Sequence, residues 1–281
     1  SFDYRSFLAS RLRRVFPALL VLGLVLFLLG WLLLPDPQFT ELLNEIFYSL
    51  TFLSNVFYRW NIDYFGAANN TKWLLHTWSL AVELQFYFIY PAFLIFLAKL
   101  AQTLRAKLMV ILAVTLISFS AAVYLSALRP DISFYLLPTR IWEFLLGGVA
   151  YFISAKKFSE NQKLALSYTG FILLFSSLLL SDQAHGWPSH LTLFPTIATT
   201  LIIISNRDHS FNNSAFVRWL GLRSYSIYLW HWPVIIFLNY YAVDNVYLYV
   251  SYGILATVIL SELSYKFVEG FRFKKIQIRK L

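Results

Sequence analysis

The most constraining feature of the sequence is a run of about 20 mostly apolar residues, Val15–Leu34, directly behind a basic segment. At helical rise, a run of this length crosses the ~30 Å hydrocarbon core of a bilayer. More apolar stretches follow, and 59% of the 281 residues are hydrophobic while only 13% are charged. Exposing so much apolar surface to water would cost about 25 cal/mol per Å². The sequence therefore predicts an integral membrane protein and excludes a soluble enzyme, a disordered chain and a coiled coil.

The apolar segments predict an all-α, polytopic membrane helical bundle with about eight transmembrane helices. One further segment, 40–58, is apolar enough to contact lipid but carries Glu41, Asn44, Glu45 and Asn55. We interpret it as interfacial or re-entrant, because ionisable groups are costly inside a bilayer. The predicted spans are Val15–Leu34, 75–98, 108–127, 139–155, 164–181, 191–205, 216–239 and 247–268.

The distribution of positive charge tests this topology. If 40–58 does not cross, four of the 23 Lys and Arg residues lie on the outer side and the other 19 lie on the cytoplasmic side. The outer four are Arg59, Lys72, Arg129 and Arg140. We therefore expect a single membrane domain, 1–281, whose N-terminus and basic tail (269–281) are cytoplasmic. The basic residues alternate with apolar blocks instead of forming one stripe, which argues against a nucleic-acid partner.

Glu83 is the sharpest functional candidate, because an ionisable group inside a span is a functional hypothesis by default. It lies about 12 Å into a helix that enters the bilayer near residue 75. Ser79 and Tyr87, at i−4 and i+4, continue one polar face on an otherwise aromatic helix. The alternative is a buried carboxylate that only ties two helices together.

Arg140 and Glu143 stand at i and i+3, so they can form an ion pair on one helix face. Such a pair is either an orienting anchor or part of a binding site, and the residues alone leave both interpretations open. Arg11 and Arg14 have the same spacing at the cytoplasmic end of the first span. They are either a topological anchor or a phosphate-binding pair, since the Arg fork matches phosphate.

The segment Ser224–Pro233, SYSIYLWHWP, combines hydroxyl groups, an imidazole and a proline within one predicted span. His231 is a candidate general base, although a histidine among aromatic residues is more often a hydrogen-bonded packing residue. Pro233 frees a backbone carbonyl near Leu229 that can accept another hydrogen bond. His76 precedes Trp78 at the expected outer interface, where amphipathic rings are common. The five histidines are too scattered for a metal site, and the chain has no cysteine.

Several strings together resemble the acyltransferase-3 family of bacterial inner-membrane proteins, which O-acylate cell-surface polysaccharides. The resemblance covers essentially the whole chain. Its two most specific strings are LLHTWSLAVELQFYFIYP and LGLRSYSIYLWHWPV. Within them, HTWSLAVE and YLWHWP resemble the sequences of those family members that carry an SGNH-type domain. The strings are 7–20, 74–91, 139–148, 220–234 and 261–270.

The resemblance implies an acyltransferase that moves an acetyl group from cytosolic acetyl-CoA to a sugar hydroxyl on the periplasmic side. It implies the bilayer, a glycan or lipid-linked saccharide acceptor and an SGNH-type domain as partners, with no metal. It also implies roles for individual residues. Arg11 and Arg14 match the motif associated with the CoA side, and other motif positions are matched by Glu83, Arg140, Glu143, Tyr225, Tyr228 and His231. We take Glu83 and His231 as catalytic candidates, and Arg140, Glu143, Tyr225, Tyr228 and Trp78 as candidates for substrate binding.

Two departures from the family pattern qualify these expectations. Family members begin with two spans, one carrying the usual catalytic histidine, and we expect that this chain lacks that N-terminal part. Leu84 replaces the second acid of the family motif, so Glu83 is the motif's only carboxylate. Two other function classes remain open, a secondary transporter or channel and an inactive, truncated membrane scaffold.

Overall fold

A computed structural model describes residues 3–61, 71–154, 158–180, 188–207, 214–241 and 245–270. Those ranges contain eleven α-helices and no strand, which confirms the predicted all-α class. The basic tail lies outside them from residue 271 onward. The helices are α1 (Tyr4–Leu33), α2 (Asp36–Leu50), α3 (Ser54–Asn61), α4 (Thr77–Leu100), α5 (Leu104–Leu128), α6 (Pro130–Tyr135), α7 (Ile141–Ser154), α8 (Glu160–Leu180), α9 (Leu193–Ser205), α10 (Ala215–Tyr240) and α11 (Val246–Ser264).

Each of the eight predicted spans coincides with one of these helices. Five are long and apolar enough to cross a membrane by length and composition, namely α1, α4, α5, α8 and the helix formed by α11 with the following π-helical turn. Helices α7 and α9 are apolar but have only 14 and 13 residues. Helix α10 has 26 residues and includes Arg218 and Arg223. The chain is thus a multi-pass membrane protein, and the number eight stays a prediction.

The segment 40–58 does not form one continuous helix. Helix α2 has 15 residues and α3 has eight, and the chain breaks between them at Thr51–Leu53. Phe52 there has a φ of 56°, a left-handed conformation that is uncommon for a bulky residue. Neither helix reaches the roughly 20 residues needed to cross a bilayer, which agrees with an interfacial or re-entrant segment.

The chain forms two compact units. Unit 1 comprises residues 1–87 and 211–281, and unit 2 comprises 88–210. In unit 1, α1 buries Val15, Leu19, Leu22 and Leu26 against Leu42 of α2 and other buried residues. The spacing of three and four residues places these side chains on one face of α1. Helix α1 packs against both α2 and α10, and this packing positions the functional side chains described below.

A charged contact joins α10 to α11 within unit 1. The Arg223 guanidinium donates to both carboxylate oxygens of Glu262, with Nη2 3.0 Å from Oε1. Lys266 lies 3.0 Å from the same carboxylate, and Arg223 also packs over the rings of Trp219 and Tyr265. A bidentate pair of this kind fixes orientation as well as distance, so it holds the N-terminal half of α10 in place.

Unit 2 is built by the packing of α5, α7, α8 and α9. Gly170 of α8 allows close approach to α9, because a Cβ atom there would lie 2.9 Å from the Ala198 carbonyl oxygen. Trp142 of α7 is fully buried, and its backbone N–H donates to Ser118 of α5. On the outside, α8 exposes large apolar side chains such as Phe175 and Leu179, as expected of a lipid-facing surface.

Candidate functional site

A cavity of about 440 Å³ in unit 1 brings together residues from α1, α4 and α10. We call it the arginine cavity. Five residues singled out from the sequence line it, Arg11, Arg14, Glu83, Tyr225 and Tyr228. It is completed by Val15, Ser79, Leu80, Tyr87 and Ser224. These residues are up to about 210 positions apart in the sequence, and only the packing of the three helices unites them.

The two arginines reach the cavity because they lie three residues apart, on one face of α1. The Arg11 guanidinium lies 5.2 Å from the ring centres of both Phe7 and Tyr87, a cation–π arrangement. Arg14 is exposed, as is Ser224, so this side of the cavity is open. Within the described part of the chain, no carboxylate forms an ion pair with Arg11 or Arg14, although Arg14 interacts electrostatically with Glu269.

Hydroxyl groups from α4 and α10 line the same cavity as the Glu83 carboxylate. Tyr87 donates a 2.6 Å hydrogen bond to Oε1 of Glu83, across one turn of α4. Tyr225 donates to the Val15 carbonyl at 2.7 Å and so ties α10 to α1. Tyr228 donates to the His76 carbonyl and also contacts the hydroxyl of Ser79. The polar face predicted at Ser79, Glu83 and Tyr87 is confirmed, since all three residues line the cavity.

This arrangement combines positive charge at an open mouth with one carboxylate and several hydroxyl groups in the same cavity. Arginine forks bind phosphate in a bidentate manner, so the mouth suits a phosphorylated ligand. Tyrosine hydroxyls are donors that can also stabilise a developing oxyanion. Across the ranges that the structure describes, no group of three His, Cys, Asp or Glu side chains could hold a metal ion.

His231 and Trp78 are not among the residues that line the arginine cavity. The His231 Nδ1 atom lies 2.7 Å from the Tyr228 carbonyl oxygen of its own helix, a contact typical of a packing residue. Its ring is 5.6 Å from the ring of His76. Trp78 is half-buried at the start of α4.

Arg140 and Glu143 belong to unit 2, where they form the ion pair that their spacing predicts. Arg140 Nη1 donates to Glu143 Oε1 at 2.7 Å, and the two side chains are 11% and 28% exposed. The Arg140 guanidinium also lies 5.6 Å from the Phe134 ring centre. Each of these charges therefore has a partner on its own helix face.

Two polar groups of unit 1 are more buried than the sequence indicates. His76 is only 7% exposed, and neither ring nitrogen has a well-aligned hydrogen bond to a described residue. Its ring interacts with the Leu229 carbonyl. That carbonyl is the one freed by Pro233, as the sequence predicts.

Glu45 is the second such group, and it is 1% exposed. Its Oε2 atom accepts hydrogen bonds from the Leu74 backbone N–H at 2.7 Å and from the Tyr58 hydroxyl at 3.0 Å. Burial raises the pKa of Glu45 to about 7, despite these hydrogen bonds and the nearby Lys72, which favour the charged form. The spacing of Glu41 and Glu45 was visible in the sequence, but their long-range partners were not.

Comparisons with known proteins identify the family of the chain. A family model described as an acyltransferase domain matches residues 1–263. The chain is 31% identical over 272 residues to the protein described as a membrane-bound transacylase, BcsY, of Komagataeibacter xylinus, covering 94% of the chain and 68% of that protein. It is 31% identical over 290 residues to the O-acetyltransferase OatA of Staphylococcus aureus, covering 95% of the chain and 47% of OatA.

A third relative is the protein described as a peptidoglycan O-acetyltransferase, YrhL, of Bacillus subtilis. It is 30% identical over 302 residues, covering 96% of the chain and 46% of that protein. The chain thus spans slightly less than half the length of OatA and of YrhL. No solved structure matches the chain.

Proposed function

Because the chain belongs to the acyltransferase domain family, we propose that it moves an acetyl group from cytosolic acetyl-CoA to a sugar hydroxyl of a cell-surface polysaccharide or peptidoglycan on the periplasmic side. Such a protein resides in a bacterial inner membrane, with its N-terminal and C-terminal segments in the cytoplasm. The names of OatA and YrhL, both O-acetyltransferases, support the choice of the acetyl group, and the name of YrhL supports peptidoglycan as an acceptor.

The observation that carries the proposal is the pair of arginines at the open mouth of the arginine cavity. Arg11 and Arg14 line a cavity that is open to solvent at Arg14, and no described carboxylate forms an ion pair with either of them. A CoA phosphate would supply the missing anion. The charge distribution along the sequence supports the cytoplasmic side for this mouth.

In the proposed reaction the sugar hydroxyl oxygen attacks the thioester carbonyl carbon. Its proton passes to a base, the C–S bond breaks, and CoA leaves as the thiol after taking up a proton. Glu83 is the carboxylate among the residues that line the cavity, so it either takes this proton or orients the group that does. The Tyr225 and Tyr228 hydroxyls line the same cavity, and each would donate to the developing oxyanion only after leaving the carbonyl of Val15 or His76 to which it is now bonded.

The experiment uses the complete protein in vesicles of defined orientation. CoA esters are highly charged and do not cross a bilayer unaided, so labelled acetyl-CoA added outside reaches only the outward face. We expect inside-out vesicles, which expose the cytoplasmic face, to acetylate glycan, whereas sealed right-side-out vesicles stay inactive until permeabilised. Acetylation only in the right-side-out vesicles would reverse the proposed sidedness. Substrate flux without any acetyl transfer would instead favour a transporter.

A further inference from the structure

Unit 1 contains a second cavity, of about 570 Å³, which the proposed donor site does not use. We call it the glutamate cavity. It is lined by Gln38, Glu41, Glu45, Thr71, Trp73, Ile236, Asn239 and Tyr240. Its volume falls within the range of about 300–1,000 Å³ that is typical of small-molecule sites.

The glutamate cavity and the arginine cavity lie along the same helix. Tyr228 lines the arginine cavity and Ile236 lines the glutamate cavity, eight residues or about 12 Å farther along α10. His231 and Trp232 lie between these two positions, and the Trp232 Nε1–H donates to the Lys72 carbonyl at 2.8 Å. The two cavities thus occupy opposite sides of a partition made by α10 and the turn at residues 72–76.

The polar lining of the glutamate cavity offers both donors and acceptors. Glu45 is held in place through Oε2 alone, and its Oε1 accepts no hydrogen bond from the described residues. Glu41 forms an ion pair with Lys72. Gln38 and Asn239 add amide groups, each with donor and acceptor atoms.

Two of the remaining lining residues, Trp73 and Tyr240, are aromatic, and they add apolar ring surface to the amides and carboxyl groups. A sugar combines hydroxyl groups with a weakly apolar ring, so this lining matches both parts of it. The described lining has no Lys or Arg, and the nearby Lys72 is paired with Glu41, so the cavity offers little positive charge to an anionic ligand.

We propose that the glutamate cavity binds a neutral saccharide. If the proposed acetyl transfer is correct, this saccharide is the acceptor, and its reacting hydroxyl must reach the thioester beside Glu83 past the segment of α10 that carries His231 and Trp232. The ligand is recognised by its vicinal hydroxyls, which a free glycan and a lipid-linked sugar share.

The test measures saccharide binding without any acyl donor. The complete protein is placed in phosphatidylcholine nanodiscs, because maltoside detergents would themselves occupy a sugar site. Titration calorimetry then follows cellotetraose and chitotetraose, and a second arm incorporates a neutral glucosyl diacylglycerol into the disc. We expect saturable binding in at least one arm, and the arm that binds identifies a free or a lipid-linked source.

Two variants locate the binding. Gln38→Ala with Asn239→Ala removes two amides and should weaken binding by about tenfold or more, since a hydrogen bond contributes a few-fold to tenfold. Trp73→Phe keeps a ring and should weaken it about threefold, by loss of ring area. Asn44→Ala, on α2 but outside the cavity lining, should leave the affinity unchanged.

Melting temperatures confirm that each variant is folded. The proposal is overturned if the folded wild-type protein binds none of the three saccharides, or if both cavity variants bind as tightly as Asn44→Ala. Acetyl-CoA binding is measured on the same samples. If acetyl-CoA binds but no saccharide does, the saccharide proposal is wrong and the proposed function is unaffected. If a saccharide binds but acetyl-CoA does not, the acyl-transfer proposal is wrong and the saccharide site remains.

Discussion

Two motifs that contain arginine at the same three-residue spacing, Arg140/Glu143 and Arg11/Arg14, differ in whether the arginine forms an ion pair. In unit 2, Arg140 is paired with Glu143 at 2.7 Å, and its side chain is 11% exposed. In unit 1, Arg11 and Arg14 project into a cavity, and within the described part of the chain no carboxylate forms an ion pair with either. A paired guanidinium has already replaced its hydration by a fixed partner, whereas the unpaired ones can still bind an anion. The spacing of the residues therefore does not distinguish a structural anchor from a binding site. The presence or absence of a carboxylate paired with the arginine does.

The largest expected effect concerns the carboxylate that shares the arginine cavity. Glu83→Gln keeps the side-chain volume but cannot take a proton or carry charge. If Glu83 supports the transfer, the folded variant of the complete protein should lose acetylation by about 10²-fold or more. The measurement is acetylated glycan per mole of inserted protein. Near-normal turnover by a stable variant would leave Glu83 as a helix-packing residue.

The next prediction concerns the ion pair between Arg140 and Glu143 in unit 2. Replacing Glu143 by Gln removes the carboxylate that pairs with the largely buried Arg140 guanidinium, which should destabilise unit 2 by about 2–3 kcal/mol. The exchange Arg140→Glu with Glu143→Arg should recover most of that stability, because it restores the pair. Thermal unfolding in nanodiscs gives both values. If the exchange regains stability but not acetylation, the pair also contacts substrate, as the family resemblance implies.

A smaller effect is expected from Glu45, which lies outside the spanning helices. Its pKa of about 7 in the folded protein exceeds the ordinary value, so the folded state holds a proton that the unfolded state has lost. This contribution to stability is complete below about pH 4.5 and disappears as the pH rises through 7. The free energy of unfolding contributed by Glu45 should fall by on the order of 2 kcal/mol between pH 5 and 8.

The comparison that isolates this contribution is wild type against Glu45→Gln at each pH. The difference between the two proteins removes the contributions of all other titrating groups. Lys72 and Glu41 also act on the Glu45 carboxyl and are unchanged in this pair of proteins. Parallel melting curves of the two proteins from pH 5 to 8 would contradict the raised pKa. Asn44→Ala is the control on the same helix.

Local patterns predicted local structure well. The apolar runs located the helices, the spacing of Arg140 and Glu143 predicted their ion pair, and the face of Ser79, Glu83 and Tyr87 was found as expected. These features depend on the 3.6-residue period of one helix, which a sequence displays directly. The first helix nevertheless begins at Tyr4, eleven residues before the predicted span, because polar residues extend a helix beyond the bilayer.

Contacts between distant segments could not be obtained in this way. Residues that are far apart in the sequence form the Lys72–Glu41 ion pair, the hydrogen bonds of Glu45 and the contacts that bury His76. Periodicity carries no information about which helix faces which. The family resemblance indicated that Arg11, Arg14, Glu83, Tyr225 and Tyr228 act together, and only the packing of α1, α4 and α10 places them around one cavity.

The central claim is that Arg11 and Arg14 bind the phosphates of the acyl donor, and its most direct test is the affinity of the complete protein for acetyl-CoA. Lysine keeps the charge but lacks the bidentate fork. Arg11→Lys and Arg14→Lys should each weaken binding by about tenfold or more, because a hydrogen bond to a charged group contributes about 1.5–3 kcal/mol. Arg13→Lys, on the same helix but outside the arginine cavity, should bind acetyl-CoA as the wild type does. Equal affinity in all four proteins would contradict the claim and leave the arginines as a topological anchor.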